Sequence, residues 1–568
     1  MSADGSAARA WPWGALLVAL VVLSTGHRFA NGFVFDDEEV IREGGVIHDP
    51  SRLADVWTHH TMIASAADPG GVQSVDTYRP LTLTLFFLDA QLSGRSPVGY
   101  HATNLLLHLA CVLLVFALGL AWLGRERAGP ACYGAAVFAV HPWLVEAHVW
   151  INGRSDPLAL ALGLASMLVL LRAERAGGAR VSSSILAAAL FLLGLLSKET
   201  LLCCVPAVLL MPAPHGAARR RADLLHRALA VLGASLLYLG LRAAVLEGLR
   251  THRDAAMLGE AATRLPWLLA DALRQALAPG LPYLRSLRDE YASLEAWQLA
   301  LASLLLAGVA VLAWRARRAS PLAAWSALWF FAPVVPVAIL TTVLWPGFGR
   351  YLYLPLAGLA WALAELAARV TERARRPALL RALAALHVGV LAVMAALFTR
   401  DFASSESLYG AAVAARPDVA MGHGWLGIAR LDGGDAAGAI GPLSRAAELD
   451  PETHRYLIRA GRAALALSDR ARAAELADRG IARFRGRPEE AAYRLLAVNA
   501  MVERDPPRAV GHVVECLRVF PDREDCADAL VQLVRSAPDA AENRAALEAA
   551  LERETDAALA ARLRRLLE

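Results

Sequence analysis

Residues 103–123 read TNLLLHLACVLLVFALGLAWL, twenty-one positions without a formal charge. A helix needs roughly 20 mostly apolar residues to cross a bilayer, where its polar backbone must be satisfied internally. This stretch decides the class: the chain enters a membrane. Working outward, residues 10–27 carry no formal charge and no small-residue cleavage site of a secretory leader. Residues 131–145, 158–171, 181–196 and 201–214 are shorter apolar runs, and 228–246 holds one interior arginine, Arg242. Residues 296–314 are clean. Residues 319–349 are uncharged but interrupted by Pro321, Pro333, Pro336 and Pro346, and 351–368 and 382–399 complete a set of eleven expected spans. Residues 265–279 are apolar but contain Asp271 and Arg274, which fits a helix lying in the interface.

Composition agrees. Of 568 residues, 57% are hydrophobic and 19% charged, with a mean hydropathy of +0.41. Soluble domains run near 45–50% apolar and about 25% charged. These figures exclude a disordered chain, a fibrous protein and a small disulfide scaffold, and argue against a soluble multidomain enzyme. The net charge of +4 gives no basis for nucleic-acid binding. Lys198 is the only lysine, so arginine abundance is a feature of the coding composition and not by itself a sign of anion binding. Six cysteines are too few for a disulfide framework. Cys111, Cys132, Cys203 and Cys204 lie in apolar runs, whereas Cys516 and Cys526 can pair if their surroundings are oxidising.

Loop charge sets the expected orientation. Alternate loops hold Arg125 and Arg127; Arg172, Arg175 and Arg180; Arg219, Arg220, Arg221 and Arg227; Arg315, Arg317 and Arg318; then Arg369, Arg373, Arg375, Arg376 and Arg381. The short opposite loops carry only Arg154, Lys198 and Arg350. The arginine-rich side is the cytoplasm, with the N-terminus inside. Long loops at 28–100 and 247–295, and everything beyond Arg400, are expected outside.

Residues from Arg400 onward hold 27 acids and 24 arginines, a composition shift that marks a second domain at 401–568 after a membrane domain at 1–400. Pro417, Pro451, Pro488 and Pro521 recur at intervals of 34, 37 and 33, the period of tetratricopeptide repeats. Leu426, Gly427, Ala439, Ala446 and Pro451 fit the small and turn positions of one unit. A plain alanine-rich array of helical hairpins is the alternative. Stacked pairs of this kind form a concave groove suited to a peptide.

Four acids, Asp36-Asp37-Glu38-Glu39, follow the first span directly. Charges at membrane depth usually face a cavity and serve function. A carboxylate there can act as a general base or hold a divalent cation; the other reading is a solvated charge run. His101, Asn104 and His108 recur at helical spacing, which equally suits bonding between helices. A polar cluster of His141, Glu146, His148, Arg154 and Asp156 spans the next outside turn, and Ser197-Lys198-Glu199 the one after. If Lys198 simply pairs with Glu199 the two are a structural lock; if Lys198 points into a cavity it can bind phosphate. Lys198, Arg154 and Arg350 break the charge trend at that surface and point to an anionic ligand, with arginine suited to bidentate phosphate contact. Acids and cations on one outer surface suit attack by a hydroxyl on a lipid-linked anionic donor.

At these motifs the sequence resembles the transmembrane-and-tetratricopeptide-repeat protein O-mannosyltransferases and their bacterial relatives, of the GT-C glycosyltransferase superfamily. The matching residues are Phe35-Asp36-Asp37, Tyr78-Arg79-Pro80-Leu81, Gly99-Tyr100-His101 with Asn104 and His108, and His141-Pro142. Glu146-Ala147, Trp150-Ile151, Gly153-Arg154, Asp156, Ser197-Lys198-Glu199 and Arg350 to Pro355 also match, in order. The resemblance implies an all-α GT-C-like membrane bundle of about eleven spans followed by an α-solenoid of TPR-like repeats. It implies inverting transfer of a sugar, mannose in the family, from a polyprenyl-phosphate donor to a protein Ser or Thr outside the cytoplasm. Asp36 or Asp37 would be the base, the other positioning the acceptor or a cation. Arg350, Lys198 and Arg154 would face the donor phosphate. Glu146, Asp156, Glu199, Arg79, His101 and His141 would be supporting polar residues. Gly349 stands where the family often has an acid, Leu144 where it has a second His, and the repeat array is short. These departures, with the arginine-rich composition, favour a bacterial inner-membrane member with its repeats in the periplasm. Partners would be the bilayer, the lipid-linked sugar and an acceptor protein. Two other classes remain: a membrane-anchored repeat scaffold for envelope assembly, and a transporter of lipid-linked sugars.

Overall fold

Proline starts and glycine stops frame several helices of this chain. Pro80, Pro97 and Pro377 each open one, where the missing N–H and fixed φ cost nothing. Gly94 (φ 57°) and Gly124 (φ 90°) end two of them in backbone conformations that side-chain-bearing residues rarely adopt. The computed structural model describes residues 10–61, 77–177, 180–217, 220–246, 255–280, 294–344, 349–535, 540–554 and 556–567. All regular elements among the described residues are helical, and the chain divides into two units, Met1–Ser407 and Leu408–Glu568.

The first unit belongs to a multi-pass membrane protein. Among the described residues, seven helices are long and apolar enough to cross a bilayer: Trp11–Ala30, Pro97–Leu123, Ile151–Arg175, Arg221–Val245, Ala296–Ala316, Gly349–Arg373 and Pro377–Asp401. Val181–Leu195, Glu199–Leu210 and Pro321–Val337 are shorter apolar helices. The remaining expected span folds as Ala128–Val140, buried along almost its whole length. A Cβ at Gly134 would lie 2.1 Å from the Ala360 carbonyl oxygen, so this helix packs backbone to backbone on Tyr353–Arg373, as small residues permit in membranes. The segment expected to lie in the interface forms helix Ala255–Leu277, with Arg274 and Gln275 both turned onto Asp271.

A tryptophan cluster ties the bundle together. Trp122, Trp325, Trp329 and Trp361 lie with ring centroids 4.9–5.7 Å apart. Each indole N–H donates to a backbone carbonyl, of Pro212, Ala207, Leu354 and Val115 respectively. Four polar handles are thereby satisfied while the rings fill the interior.

The expected outside loop at 28–100 is structured in its described parts. Short helical turns precede the 14-residue helix Pro80–Ser93. Phe33, Ile41, Val46, Ile47, Val56, Leu83, Phe86 and Tyr100 form a small nucleus of their own beside Ile151.

The second unit pairs its helices: Ala420–Asp432 with Ala436–Leu449, Arg455–Ala466 with Arg470–Arg483, Glu490–Met501 with Pro506–Val519, and Glu524–Arg535 with Ala540–Arg553. The recurring prolines sit in the turns before each pair. Asp435, Asp469 and Asp505 cap the second helices of the first three by accepting backbone N–H bonds three residues on. Gly427 lies where a Cβ would strike Leu443 at 2.5 Å, so the helices of the first pair meet closely. These are tetratricopeptide-like pairs. Cys516 and Cys526 are disulfide-bonded across a turn.

Candidate active site

The site starts where the first membrane helix ends. After Asn31 the backbone extends, then reverses at Phe35, whose φ is 55°. A non-glycine residue holds such a conformation only where its surroundings over-determine it. Here the Phe35 N–H donates to Ser405 Oγ (3.1 Å), Trp150 Nε1 donates to the Val34 carbonyl (3.2 Å), and the Phe35 and Trp150 rings lie 5.4 Å apart.

This reversal gives the two aspartates different tasks. Asp37 is fully buried: Oδ1 accepts the Asn152 N–H at 2.8 Å and Oδ2 the Val34 N–H at 3.2 Å. Burial pushes its carboxyl well above the usual range, against the pull of those two bonds. Asp36 is half-buried. Burial raises it to about 6, the Arg350 guanidinium opposes that rise and Glu39 adds to it. No hydrogen bond to the Asp36 carboxylate forms among the described residues.

Arg350 stacks over the Trp150 ring at 4.6 Å and the Tyr351 ring at 5.5 Å. Its backbone N–H lies 3.4 Å from Glu146 Oε2. Burial raises Glu146 to about 7, with Arg350 holding it down. A Cβ at Gly349 would sit 2.8 Å from Trp143 Cε3 and 3.1 Å from its carbonyl oxygen. A side chain at Gly349 would therefore require Trp143 to shift.

The other cations differ from expectation. Arg154 is fully buried; its Nε donates to Asn104 Oδ1 (2.9 Å), one terminal nitrogen to Asp89 Oδ2 (2.5 Å) and the other to the Tyr100 carbonyl (3.2 Å). Its guanidinium lies 4.1 Å from the Phe86 centroid. Arg154 is expected to face a donor phosphate; here each side-chain nitrogen bonds a partner within the protein. Lys198 donates to Asp156 Oδ2 at 2.5 Å and is 2% exposed. Burial lowers it to about 8, against the attraction of Asp156. The expected pairing with Glu199 does not form, since Glu199 is taken by Arg79; the Lys198 ammonium also lies 5.4 Å from the Tyr351 ring. Arg79 and Glu199 form a two-pronged pair at 2.9 and 2.5 Å.

The histidines stand apart from the acids. His101 Nε2 meets the Asn31 carbonyl (3.3 Å), and His141 Nε2 the Ala276 carbonyl of helix Ala255–Leu277 (3.2 Å). His108 meets the Tyr353 hydroxyl (2.7 Å) and stacks on His148 at 3.8 Å. The His101, Asn104, His108 periodicity therefore joins helices, with Asn104 donating to the carbonyls of Trp150 and Ile151. Among the described residues no group of three or more His, Cys, Asp or Glu is placed to hold a metal ion.

Sequence reasoning missed Asp89 and Arg28. Asp89 announced itself as the one acid in the Pro80–Ser93 helix. Arg28 is fully buried, donating to the Thr25 and His148 carbonyls, and gave no signal. The arrangement offers a half-buried carboxylate within the field of a stacked guanidinium, among paired charges: the means to take a proton from a hydroxyl near an anionic leaving group.

No protein-family profile matches the chain. A structure of the APC/C hetero-tetramer Cut9-Hcn1 covers 80% of this chain and 92% of its own at 12% identity, but a TM-score of 0.21 supports no argument. Mouse "Protein O-mannosyl-transferase TMTC4" is 35% identical over 169 residues, 28% of this chain and 22% of its own length. Drosophila melanogaster "Protein O-mannosyl-transferase Tmtc1" is 33% identical over 171 residues, 30% of this chain and 19% of its own. Caenorhabditis elegans "Protein O-mannosyl-transferase F38B6.6" is 27% identical over 155 residues, 27% of this chain and 22% of its own. The matched stretch spans only about a fifth of each of these relatives. Over a little under a third of its length, the chain is similar to proteins named protein O-mannosyl-transferases.

Proposed function

We propose that the chain is a membrane glycosyltransferase that moves a sugar, mannose in the first instance, from a polyprenyl-phosphate donor to a Ser or Thr hydroxyl of a protein. The observation that carries it is a half-buried Asp36 carboxylate, free of hydrogen bonds among the described residues, that feels the positive potential of the Arg350 guanidinium stacked on Trp150. Asp36 accepts the hydroxyl proton as the hydroxyl oxygen bonds to the anomeric carbon. The bond from that carbon to the phosphate oxygen breaks on the opposite face, and Arg350 stabilises the departing polyprenyl phosphate. Asp37 positions Asp36 through the Val34 and Asn152 N–H bonds. Lys198–Asp156 and Arg79–Glu199 fix the surrounding walls.

The membrane domain at 1–400 carries the chemistry, and the repeats at 401–568 hold the acceptor protein or a partner. The site faces the periplasm of a bacterial inner membrane, with the N-terminus in the cytoplasm. The loop-arginine asymmetry and the Cys516–Cys526 disulfide, which persists in an oxidising compartment, support this side. The test is sugar transfer in isolated membranes supplied with labelled polyprenyl-phosphate mannose. Label enters protein with the wild type and is lost with Asp36→Asn at equal expression. Full transfer by Asp36→Asn refutes the assignment of the base, and no transfer from a panel of lipid-linked sugars refutes the function.

A further inference from the structure

We propose that the segment closing the last membrane helix, Thr399 to Ser405, is a positioning clamp for the acidic loop, with Ser405 as its side-chain contact. Its catalytic meaning rests on the glycosyl-transfer reading above. Three bonds join these distant stretches. Asn31 Nδ2 donates to the Thr399 carbonyl at 2.9 Å, the Gly32 N–H to the Ala403 carbonyl at 3.0 Å, and the Phe35 N–H to Ser405 Oγ at 3.1 Å. Residues 31–35 are thus held immediately ahead of Asp36 and Asp37.

The last bond matters most, because Phe35 is the residue at φ 55°. A return to negative φ would turn the following peptide and carry Asp36 away from Arg350. The Phe35 N–H bond to Ser405 and the ring contact with Trp150 oppose that return. Ser405 is not needed to cap its own helix, Ser405–Ala415. Ser404 Oγ does that, accepting the Ser407 N–H at 3.1 Å. The Ser405 hydroxyl is therefore available to the acidic loop, two residues before the end of the membrane unit at Ser407.

The experiment compares the purified full-length wild type with Ser405→Ala and Ser405→Thr. Hydrogen–deuterium exchange over residues 31–40 is expected to quicken in the alanine variant, hold in the threonine variant, and stay unchanged over 103–123 in both. In sugar transfer, Ser405→Ala lowers kcat about tenfold, the worth of one hydrogen bond, with donor KM unchanged. Its pH–rate profile loses its acid limb near 6 to lower pH as water reaches Asp36, which Arg350, Glu39 and Asp37 otherwise face. Threonine restores both. Unchanged exchange over 31–40 in the alanine variant overturns the clamp whatever the donor sugar. A wild-type rate and pH profile for Ser405→Ala, with Asp36→Asn inactive, overturns the positioning role and leaves the glycosyl-transfer reading standing. A wild type inactive with every lipid-linked sugar refutes that reading, and the exchange result alone then decides the clamp.

Discussion

Asparagine at position 36 and asparagine at position 37 are expected to fail in opposite ways. Asp37 has both carboxylate oxygens accepting backbone N–H groups in a fully buried setting. Asparagine keeps one oxygen and sets an NH2 group against the other N–H. The loss is one charge-assisted bond, about 1.5–3 kcal/mol, plus an unsatisfied buried donor, about 1–3 kcal/mol. Removing a carboxyl that burial already disfavours returns part of this, leaving a net destabilisation of about 2 kcal/mol. Asp36 accepts no such bond, so Asp36→Asn is expected to stay within about 0.5 kcal/mol of the wild type. Its sugar-transfer rate drops by about 10²–10⁴, the contribution of a general base. The assay pairs thermal unfolding of detergent-purified protein with transfer in membranes at equal expression. An unfolding midpoint lowered by Asp36→Asn but not by Asp37→Asn would refute the division of roles.

Arg154→Met is expected to destabilise the membrane unit by about 3–5 kcal/mol by stranding Asp89 in the interior. The double change with Asp89→Asn should recover most of this, read as the unfolding midpoint and the monodisperse fraction after solubilisation. Gly349→Glu is expected to cost about 1–3 kcal/mol by overpacking against Trp143; wild-type stability would show that the pocket opens. The kcat/KM for transfer should rise with pH through a midpoint near 6 as Asp36 ionises and lose that limb in Asp36→Asn; a flat profile between pH 5 and 7 would remove Asp36 as the base.

Much of the fold was legible because the bilayer enforces it. An uncharged run such as residues 103–123 has few options in hydrocarbon, and the helix Pro97–Leu123 overshoots it only at its start. Repeat boundaries were legible through Pro417, Pro451, Pro488 and Pro521, since proline marks turns whatever its surroundings. The site was legible only as a set of charges. Which charge meets which is decided by tertiary packing: Arg154 finds Asp89, 65 positions away in a helix inside an expected loop, and Lys198 finds Asp156 rather than its neighbour Glu199. Nothing local distinguishes a paired arginine from one that faces a ligand. The left-handed turn at Phe35 was equally hidden, because its bonds to residues near 400 leave no trace in the loop's own sequence.

The electrostatics of the site also bear on the order of events. Arg350 holds down both Asp36 and Glu146, which burial would otherwise raise further. A donor phosphate that engages the guanidinium cancels part of that positive potential. Asp36 then becomes more basic at the moment a base is needed, while Glu146 takes up its proton and adds no repulsion to the anion. Under this reading the empty site keeps Asp36 a weaker base, and the donor strengthens it. The measurable consequence is a split between two pH profiles, because kcat/KM reports the free protein and kcat the donor complex. The acid limb of kcat should therefore lie above that of kcat/KM, and Arg350→Gln should close the gap by raising the limb of the free protein. Coincident limbs in the wild type would mean that the donor phosphate binds away from Arg350, and the assignment of that arginine would fall with it.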